Sequence, residues 1–456
     1  MSERLTTIIE KTNDEFIKND LRPFLQIPSN TLNTKGIQKA KQFILDYIRE
    51  ICDEVTELEG KISPLFLGKI SGKSEKTLLI YMMYDTQPVY KTDKWICEPF
   101  SGDITQLPAP LDSLGDCIIA RGAYNSKSPL LCFLNTIKLL KKEKALPISL
   151  LLLFDGEEEK GSPTLLQTLE TKQELFKGCM GAYYPAAKQD LNGNAVLKLG
   201  YKGILSLTLH ITTPNKEPHS AFSGMIPNPA SELVNLLTKI YSNSQFQIDS
   251  LKQSYELSKE DQKILDQLYA ILDLEKIKKK AGIRVTRFKD LEKDFEHYLF
   301  SPTFNISTLR SGFLGEGIKN FTPNEAFCNI DIRFAHNIKA QQIFKEIKEI
   351  VSHYSNESSA NIKLIKHIGY KSSRVQRNSL LVKNLIHGLE NFDIDIEIWP
   401  ISAAAAPLSK IQNILGFDFI VGGMGIGGYA HQMNEFIQLK SIIKMRLLYY
   451  YFLNNF

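Results

Sequence analysis

Residues 77–85 read Thr-Leu-Leu-Ile-Tyr-Met-Met-Tyr-Asp, an apolar run that ends in an acidic residue. Over Leu78–Ile80 apolar and polar residues do not alternate, which is typical of a strand buried on both faces of a sheet. Turn-forming residues follow Asp85 up to Pro88. Because open α/β sheets place their functional side chains at the carboxyl ends of strands, the stretch predicts a central strand with a site at its end.

The neighbouring sequence repeats this pattern. Ile148–Phe154 and Met180–Tyr184 are further apolar runs bounded by turn residues, and Lys127–Lys142 carries apolar residues at helical spacing. This alternation favours an α/β fold with a mostly parallel sheet and helices on both faces. The pattern returns after Ser373 and ends in a long helix that we predict over Phe436–Leu453.

The middle of the chain is patterned differently. Leu205–Ile211 and Ala326–Arg333 alternate apolar and polar residues, which predicts strands with one exposed face. Since 456 residues are too many for one ordinary core, we predict a catalytic domain split by an inserted α+β lid or dimerisation domain. The predicted bounds are 1–199 and 369–456 for the catalytic domain and 200–368 for the insertion.

Composition argues against several classes of protein. The net charge of +4 is mild, and Lys276–Lys280 is patterned like a solvated helix face, so we expect no nucleic-acid partner. The apolar runs are far shorter than the roughly 18–20 residues that span a bilayer, so we expect no membrane association. The six cysteines lack a Cys-x-x-Cys pair, and Met1–Arg4 leads into a charged segment rather than a signal peptide. Both features favour the reducing cytoplasm.

Four polar motifs follow one another along the α/β parts. They are Asp85, Arg121-Gly-Ala-Tyr-Asn-Ser-Lys127, Phe154-Asp-Gly-Glu-Glu-Glu-Lys-Gly-Ser162 and His431-Gln-Met-Asn-Glu435. Their order and spacing resemble the dinuclear zinc exopeptidase and amidohydrolase family of carboxypeptidase G, aminoacylase, succinyl-diaminopimelate desuccinylase and carnosine dipeptidase. The resemblance covers nearly the whole chain. It implies hydrolysis of amide bonds beside a free carboxylate, in dipeptides or N-acyl amino acids.

The resemblance also implies roles for individual residues. The family uses two zinc ions that share a bridging carboxylate and hold a hydroxide, while a separate glutamate acts as general base. Glu158 matches that base, and Glu159 and His431 match ligands of one ion. Asp85 matches the aspartate that orients a zinc-binding histidine of the other ion.

Three positions depart from the family's ligand pattern. The first-motif histidine falls on Met83, whose thioether suits Zn²⁺ poorly. The bridging aspartate falls on Asn125, whose neutral amide is a weak ligand with one oxygen. A later acidic ligand falls on Ala186, and no carboxylate follows before Asp190. All three losses belong to one ion, counting the shared bridge. We therefore expect at most one divalent metal, zinc by resemblance, with a metal-free protein as the alternative.

The substrate-binding residues are better preserved. In Glu217-Pro-His-Ser, His219 matches the family's histidine that stabilises the oxyanion. Asn305 and Arg333 match residues that bind a substrate carboxylate, a task for which the planar fork of arginine is suited. A Gly-Gly-Ser/Thr loop of the family falls on Ala403–Pro407, where the loss of glycine reduces the space for a substrate backbone.

Three functional hypotheses remain open. The first is a pseudo-peptidase that binds a small peptide or N-acyl amino acid carboxylate, or a partner subunit. The second is a one-metal hydrolase with Glu158 as base and Glu159 and His431 as ligands. The third is metal-independent acid–base chemistry by Asp85, Glu158 and His431 on an unrelated substrate.

The carboxylates impose a physical condition on all three hypotheses. Asp85, Glu158 and Glu159 should lie close together in this fold, and their repulsion would raise at least one carboxyl pKa or destabilise the fold. A metal ion, a protonated carboxyl or a nearby lysine, Lys127 or Lys160, has to offset that repulsion.

The inserted domain predicts association. In the family it pairs two subunits and sends its histidine, here His219, into the neighbouring active site. We predict that the strand near Leu205–Ile211 offers an edge for pairing across a two-fold axis. The expected dimer forms through 200–368, either between identical chains or with an intact relative whose site His219 completes.

Overall fold

The computed structural model describes residues 2–406 and 409–456, without the side chains of Ser2 and Lys280. In the described part of the chain, no helix is both long and apolar enough to cross a membrane. The described residues divide into two compact units. The first comprises Met1–Leu199, Val375–Trp399 and Ile411–Phe456, and the second comprises Gly200–Arg374 and Pro400–Lys410.

The first unit is built on a mostly parallel sheet. Its strand Ser74–Met83 lies between Ile148–Asp155 and Cys179–Pro185, and it runs parallel to both. Pairings on either side of Leu65–Ile70 are antiparallel. The predicted α/β class is confirmed. Across the sheet the strands are Glu54–Leu58, Leu65–Ile70, Ile148–Asp155, Ser74–Met83, Cys179–Pro185 and Phe419–Gly422.

Helices pack against this sheet. Lys127–Lys142 has its predicted bounds, and it is buried on nearly all sides because it packs between the sheet and the helix Ser441–Asn454. Further helices are Ser2–Lys11, Asn13–Phe16, Arg22–Leu25, Thr34–Ile48, Pro163–Thr171, Leu380–Leu389 and Ser409–Leu415. Shorter strands are Asp103–Gln106, Asp116–Ile119, Ala195–Lys198, Ile396–Trp399, Gly427–Gly428 and Phe436–Gln438.

The closing helix is shorter than predicted. Phe436–Gln438 forms a strand that pairs antiparallel with Cys117–Ile119, and the helix begins only at Ser441. The prediction of one helix over Phe436–Leu453 is therefore wrong at its start. A short apolar run is compatible with either structure, and here a pairing partner distant in sequence decides between them.

The second unit is an antiparallel sheet backed by helices. The strand Gly203–Thr212 buries alternate residues from Leu205 to Ile211 in a core that also takes apolar side chains from the helices Pro229–Ile240 and Ala340–Glu357. This is the one-sided burial that alternation indicates. Across the sheet the strands are Thr303–Ser311, Glu325–Phe334, Gly203–Thr212 and Asn361–Tyr370. Further helices are Asp249–Lys252, Lys259–Tyr269, Leu274–Lys280 and Leu291–Phe300.

The predicted pairing edge is in the wrong place. Gly203–Thr212 is hydrogen-bonded on both sides, to Glu325–Phe334 and to Asn361–Tyr370, so Leu205–Ile211 offers no free edge. Alternation of apolar and polar residues indicates that one face of a strand is buried. Central and edge strands of an antiparallel sheet share this pattern, so it does not distinguish between them. The edge strands of this sheet are Thr303–Ser311 and Asn361–Tyr370.

Candidate functional site

Asp85 brings three carboxylates together. It directly follows the pair Met83–Tyr84 at the end of the central strand and is fully buried. Its Oδ1 accepts the backbone N–H of Glu158 at 3.2 Å, and its Oδ2 accepts that of Glu159 at 3.0 Å. One buried carboxylate therefore anchors the turn that carries the other two.

Glu159 is surrounded by protein donors. Its side chain is 3% exposed, and its Oε2 accepts the Gln87 Nε2–H at 2.7 Å. Its Oε1 lies 3.2 Å from His431 Nε2 and 3.2 Å from Asn125 Nδ2. The same Asn125 nitrogen is 3.1 Å from His431 Nε2. Glu159, His431 and Asn125 thus form a nearly equilateral triangle of polar atoms, called the polar triangle below.

No arrangement of protons satisfies all sides of the polar triangle. If His431 Nε2 carries a proton and donates it to Glu159, this proton repels the amide hydrogens of Asn125. If His431 Nε2 is unprotonated and accepts from Asn125, its lone pair repels the lone pairs of the Glu159 carboxylate. When the Asn125 amide turns over, its oxygen takes this corner, and all three corners then present lone pairs. A cation satisfies such an arrangement.

The size of the polar triangle suits a zinc ion. Ligand atoms about 2.0–2.1 Å from zinc lie about 3.3 Å apart in a tetrahedron, close to the measured sides. Three protein ligands leave a fourth position for water or substrate. No group of three or more His, Cys, Asp and Glu side chains suited to a metal is found among the described residues, since the third corner here is an amide.

Two of the three lost-ligand positions, Met83 and Ala186, are buried. Met83 is the last residue of its strand and is 1% exposed, so its thioether is enclosed by the core. Ala186 follows the strand Cys179–Pro185, and its N–H donates to Gly422 O at 2.9 Å. Neither position presents a nitrogen or oxygen ligand on its side chain. Among the positions matched to metal ligands, Glu159, His431 and Asn125 therefore carry side-chain nitrogen or oxygen atoms, whereas Met83 and Ala186 do not.

Burial is the main influence on the carboxyl groups. It raises the pKa of Glu158 to about 7, with smaller contributions from the charges of Glu159 and Asp155. Burial also raises the pKa of Asp85, and Asp155 adds to the effect. Repulsion among the carboxylates was predicted to raise a pKa, and it contributes in this direction, but desolvation is the larger cause.

Lys127 does not offset the carboxylates. The buried Lys127 Nζ donates to Phe24 O at 3.1 Å and to Ile27 O at 2.5 Å, and burial lowers its pKa to about 7. Lys160 is exposed. The lysine alternative is therefore wrong for Lys127, whereas for Lys160 it stays a prediction. The contacts to Glu159 come instead from two amides and an imidazole.

Glu435 fixes the loop that carries Asn125. This carboxylate is 1% exposed and pairs with Arg121 Nη1 at 2.8 Å. It also accepts the backbone N–H groups of Gly122, Tyr124 and Asn125 at 2.7–3.0 Å. The sequence motif that supplies His431 ends in Glu435, but the motif pattern did not predict this structural role for the glutamate. The acidic side chain at the end of the motif was the one available sign of it.

In the second unit, Asp331 organises the residues matched to carboxylate binding. Asn305 Nδ2 donates to it at 2.6 Å, and Arg333 Nε donates to it at 3.4 Å. No hydrogen-bonding partner of the two terminal Arg333 nitrogens is found among the described residues. His219 is exposed, and its Nδ1 accepts the Ala221 N–H at 3.2 Å. The fork of Arg333 is therefore available to a ligand, and the Asn305 amide has one of its N–H groups bonded to Asp331.

The alanine-rich loop also belongs to the second unit. The Lys202 N–H donates to the carbonyl oxygens of Ser402 and Ala404, both at 3.1 Å. The backbone before Ala406 is thereby held to the start of a strand. Pro407, the last residue of the loop matched above, lies outside the described residues.

Comparison with known proteins identifies the family. A family model described as peptidase family M20/M25/M40 matches residues 79–455. A Cys-Gly metallodipeptidase of Schizosaccharomyces pombe is 26% identical over 389 residues, which cover 79% of this chain and 78% of that protein. A beta-Ala-His dipeptidase of Rattus norvegicus is 20% identical over 386 residues, which cover 79% and 75%. The solved structure of Sso-CP2, an M20 family metallo-carboxypeptidase from Sulfolobus solfataricus, is 27% identical with a TM-score of 0.81 and covers 95% of this chain and 97% of that one.

These matches confirm the resemblance inferred from the motifs. The match to the solved structure of Sso-CP2 also agrees with the α/β fold of this chain. The chain therefore belongs to the peptidase family M20/M25/M40, whose metallopeptidases typically use a divalent metal such as zinc.

Proposed function

We propose that this chain binds one divalent ion and small peptide-like carboxylates, and that it does not perform the two-zinc hydrolysis typical of its family. The observation that carries the proposal is the polar triangle of Glu159, His431 and Asn125, which suits a single ion. Met83 and Ala186 offer no ligand for another ion. Relatives are named as dipeptidases, so dipeptides and N-acyl amino acids are the carboxylates to test.

The charges of the polar triangle favour an anionic ligand. Glu159 brings one negative charge, whereas His431 and Asn125 bring none as ligands. A divalent ion at the triangle therefore keeps one positive charge in excess. When bound, zinc supplies a Lewis acid that polarises a carbonyl or a water molecule. Gln87 donates a hydrogen bond to the other oxygen of Glu159, which biases this carboxylate toward binding an ion through Oε1.

Arg333 supports carboxylate binding in the second unit. Its terminal nitrogens, which have no hydrogen-bonding partner among the described residues, can form a bidentate pair with a carboxylate, while Asp331 orients the guanidinium through Nε. The negative charge of Asp331 also offsets part of the positive charge of Arg333, so we expect the affinity of this site for a carboxylate to be modest. Asn305 Nδ2 donates one hydrogen to Asp331, and its second hydrogen is a further donor for a carboxylate.

Metal content tests this proposal directly. Protein dialysed against zinc should retain about one ion per chain when measured by mass spectrometry. Glu159→Gln and His431→Ala should each weaken zinc binding by more than about 100-fold, because loss of a residue that merely supports a ligand already costs about 10–100-fold. Glu158→Gln is the matched control, since it removes a carboxylate from the same turn without removing a proposed ligand. Two tightly held zinc ions per wild-type chain would refute the proposal.

A one-metal hydrolase is the second candidate. The observation in its favour is that Glu158 and Glu159 share one turn, with both backbone N–H groups bound to Asp85. A base and a metal ligand are then adjacent, as metal-assisted hydrolysis requires. Turnover of dipeptides that disappears with chelation and with Glu158→Gln would favour this candidate. Turnover that survives chelation would favour metal-independent acid–base chemistry, and absence of turnover would leave the binding function.

We also propose a dimer formed through the second unit, by about 200–368. Support comes from the edge strand Thr303–Ser311, where Ile306 and Leu309 are 40% and 55% exposed, and from Leu314 and Ile318 in the turn that follows, which are 76% and 94% exposed. An unpaired edge with apolar side chains is a surface on which strands of two subunits can join. Identical chains form one version of this dimer, and this chain with an intact relative forms the other.

Association and complementation are tested together. The chain is purified from its source cell with any family member that co-purifies, and the mixed dimer is assayed on dipeptides. His219→Ala should reduce the partner's turnover at unchanged assembly. His210→Ala is the matched control, because His210 is a surface histidine of the same unit that contacts Glu325. A monomer by light scattering at micromolar concentration, or turnover unchanged in His219→Ala, would exclude the complementing role.

A further inference from the structure

A pair of buried hydroxyl groups lies beside the polar triangle. Tyr184 Oη is 2.8 Å from Ser126 Oγ, and the two residues are 7% and 2% exposed. Ser126 is the residue after Asn125, the amide corner of the triangle. Nothing in the motif pattern of the sequence assigned a role to either hydroxyl.

The pair completes a clamp on Asn125. On the amino side, the Asn125 N–H donates to Glu435 at 2.7 Å. On the carboxyl side, Ser126 is held by Tyr184. Tyr184 is itself fixed in the sheet by its strand and by an edge-on contact with Tyr81, with ring centroids 5.3 Å apart. The backbone on both sides of the amide corner is thus tied to rigid elements.

The phenol of Tyr184 is suited to a lasting neutral contact. Burial raises its pKa well above the ordinary value, and the charges of Glu158, Glu159 and Asp85 raise it further. The hydroxyl therefore stays protonated next to the carboxylates and brings no competing negative charge to the triangle. Its proton is available for the hydrogen bond with Ser126.

We infer that Tyr184 is a positioning residue: through Ser126 it holds the Asn125 amide at the corner where it binds the single cation. This inference rests on the proposed function and names a residue on which that cation site depends. Residues that orient a metal ligand typically contribute about 10–100-fold to metal affinity. Asn125 is the weakest of the three proposed ligands, and its contribution depends most on being held in place.

The neighbouring residue provides a matched control. Tyr183 is also buried, lies on the same strand, and donates its hydroxyl to Gly422 O at 2.9 Å. Its side chain points to the opposite face because successive residues of a strand alternate. Tyr183→Phe and Tyr184→Phe each remove one buried hydroxyl. Only the second change should alter the triangle.

The test measures cobalt(II) and zinc affinity of the full chain by titration, with the cobalt absorption spectrum as a report on ligand geometry. Tyr184→Phe and Ser126→Ala should each weaken affinity about 10–100-fold and shift the spectrum. The double variant should be no weaker than the worse single variant, since both changes break one contact. Tyr183→Phe should bind as wild type does. Thermal unfolding is followed in parallel, and Ser126→Ala carries the test where Tyr184→Phe does not fold.

The outcomes separate this inference from the function on which it rests. Wild type that binds cobalt, with unchanged affinity and spectrum in Tyr184→Phe and Ser126→Ala, overturns the positioning role alone. Equal weakening in Tyr183→Phe also overturns it, because the effect would then follow from general loss of stability. Wild type that binds no cobalt and no zinc overturns the single-ion function, and the inference with it.

Discussion

The triple variant Met83→His, Asn125→Asp, Ala186→Asp is expected to raise the number of tightly held zinc ions per chain from one to two. Met83 and Ala186 stand at the ends of adjacent parallel strands, where imidazole and carboxylate ligands would reach a common ion. Asn125→Asp supplies the negative charge that a bridge between two cations requires. The two new carboxylates are repelled by Glu158 and Glu159 until metal is bound. The stability of the triple variant should therefore depend on zinc.

The experiment measures zinc stoichiometry and the zinc dependence of thermal unfolding. At a zinc concentration about 100 times the dissociation constant, binding stabilises a folded protein by about 2.7 kcal/mol per site. The triple variant should therefore gain more from zinc than wild type and should be less stable than wild type under chelation. Met83→His alone is the control and should restore little, since two ligands are still absent. Full two-metal loading by the single variant would show that the ligand assignment is wrong.

Glu435→Ala is expected to cost about 3–5 kcal/mol of folding free energy, the usual result of breaking a buried ion pair on one side. Arg121 would keep its charge at 3% exposure without the carboxylate that it contacts at 2.8 Å. The N–H groups of Gly122, Tyr124 and Asn125 would also lose their acceptor. The loop that carries Asn125 should open, and zinc binding should weaken with it.

Urea denaturation measures the change in unfolding free energy. Glu57→Ala is the control, because the Glu57 side chain is 50% exposed where it pairs with Lys41, and such a pair should contribute about 1 kcal/mol or less. Adding Arg121→Met to Glu435→Ala removes the buried, unpaired guanidinium charge. The backbone N–H groups that Glu435 accepted still lack an acceptor, so the double variant should recover only part of the lost stability. A cost below about 1 kcal/mol for Glu435→Ala would show that water replaces the carboxylate.

Local patterns predicted most of the architecture. The unbroken apolar run before Asp85 indicated a central parallel strand, because parallel strands covered by helices are buried on both faces. Alternation over Leu205–Ile211 indicated a half-buried strand for the converse reason. Both patterns indicate which residues are buried, because buried residues are mostly apolar. The sequence of a strand does not indicate which strands pair with it. For this reason the pairing edge at Leu205–Ile211 and the start of the closing helix were predicted wrongly.

The candidate site was predictable only in part. Asp85, Glu158, Glu159 and His431 were assigned because their types and spacing match a known chemistry, and their roles stay predictions. Gln87 lies in a stretch of turn-forming residues, and that pattern does not predict the contact of its amide with Glu159. Lys127 was expected near the carboxylates, whereas its ammonium reaches the carbonyl groups of an N-terminal segment. The direction of a long side chain depends on partners far away in sequence, so residue spacing does not predict it.

The contact between Gln87 and Glu159 also bears on metal selectivity. Because its Oε2 accepts a hydrogen bond from Gln87 at 2.7 Å, Glu159 is biased toward binding an ion through Oε1 alone. Calcium prefers six to eight oxygen ligands, often with bidentate carboxylates, and magnesium prefers an octahedral set of oxygens. One oxygen of Glu159, one imidazole nitrogen and one amide oxygen instead match zinc, cobalt or nickel. An amide side chain two residues beyond Asp85 would thus discriminate against the abundant alkaline-earth ions without contacting the metal itself.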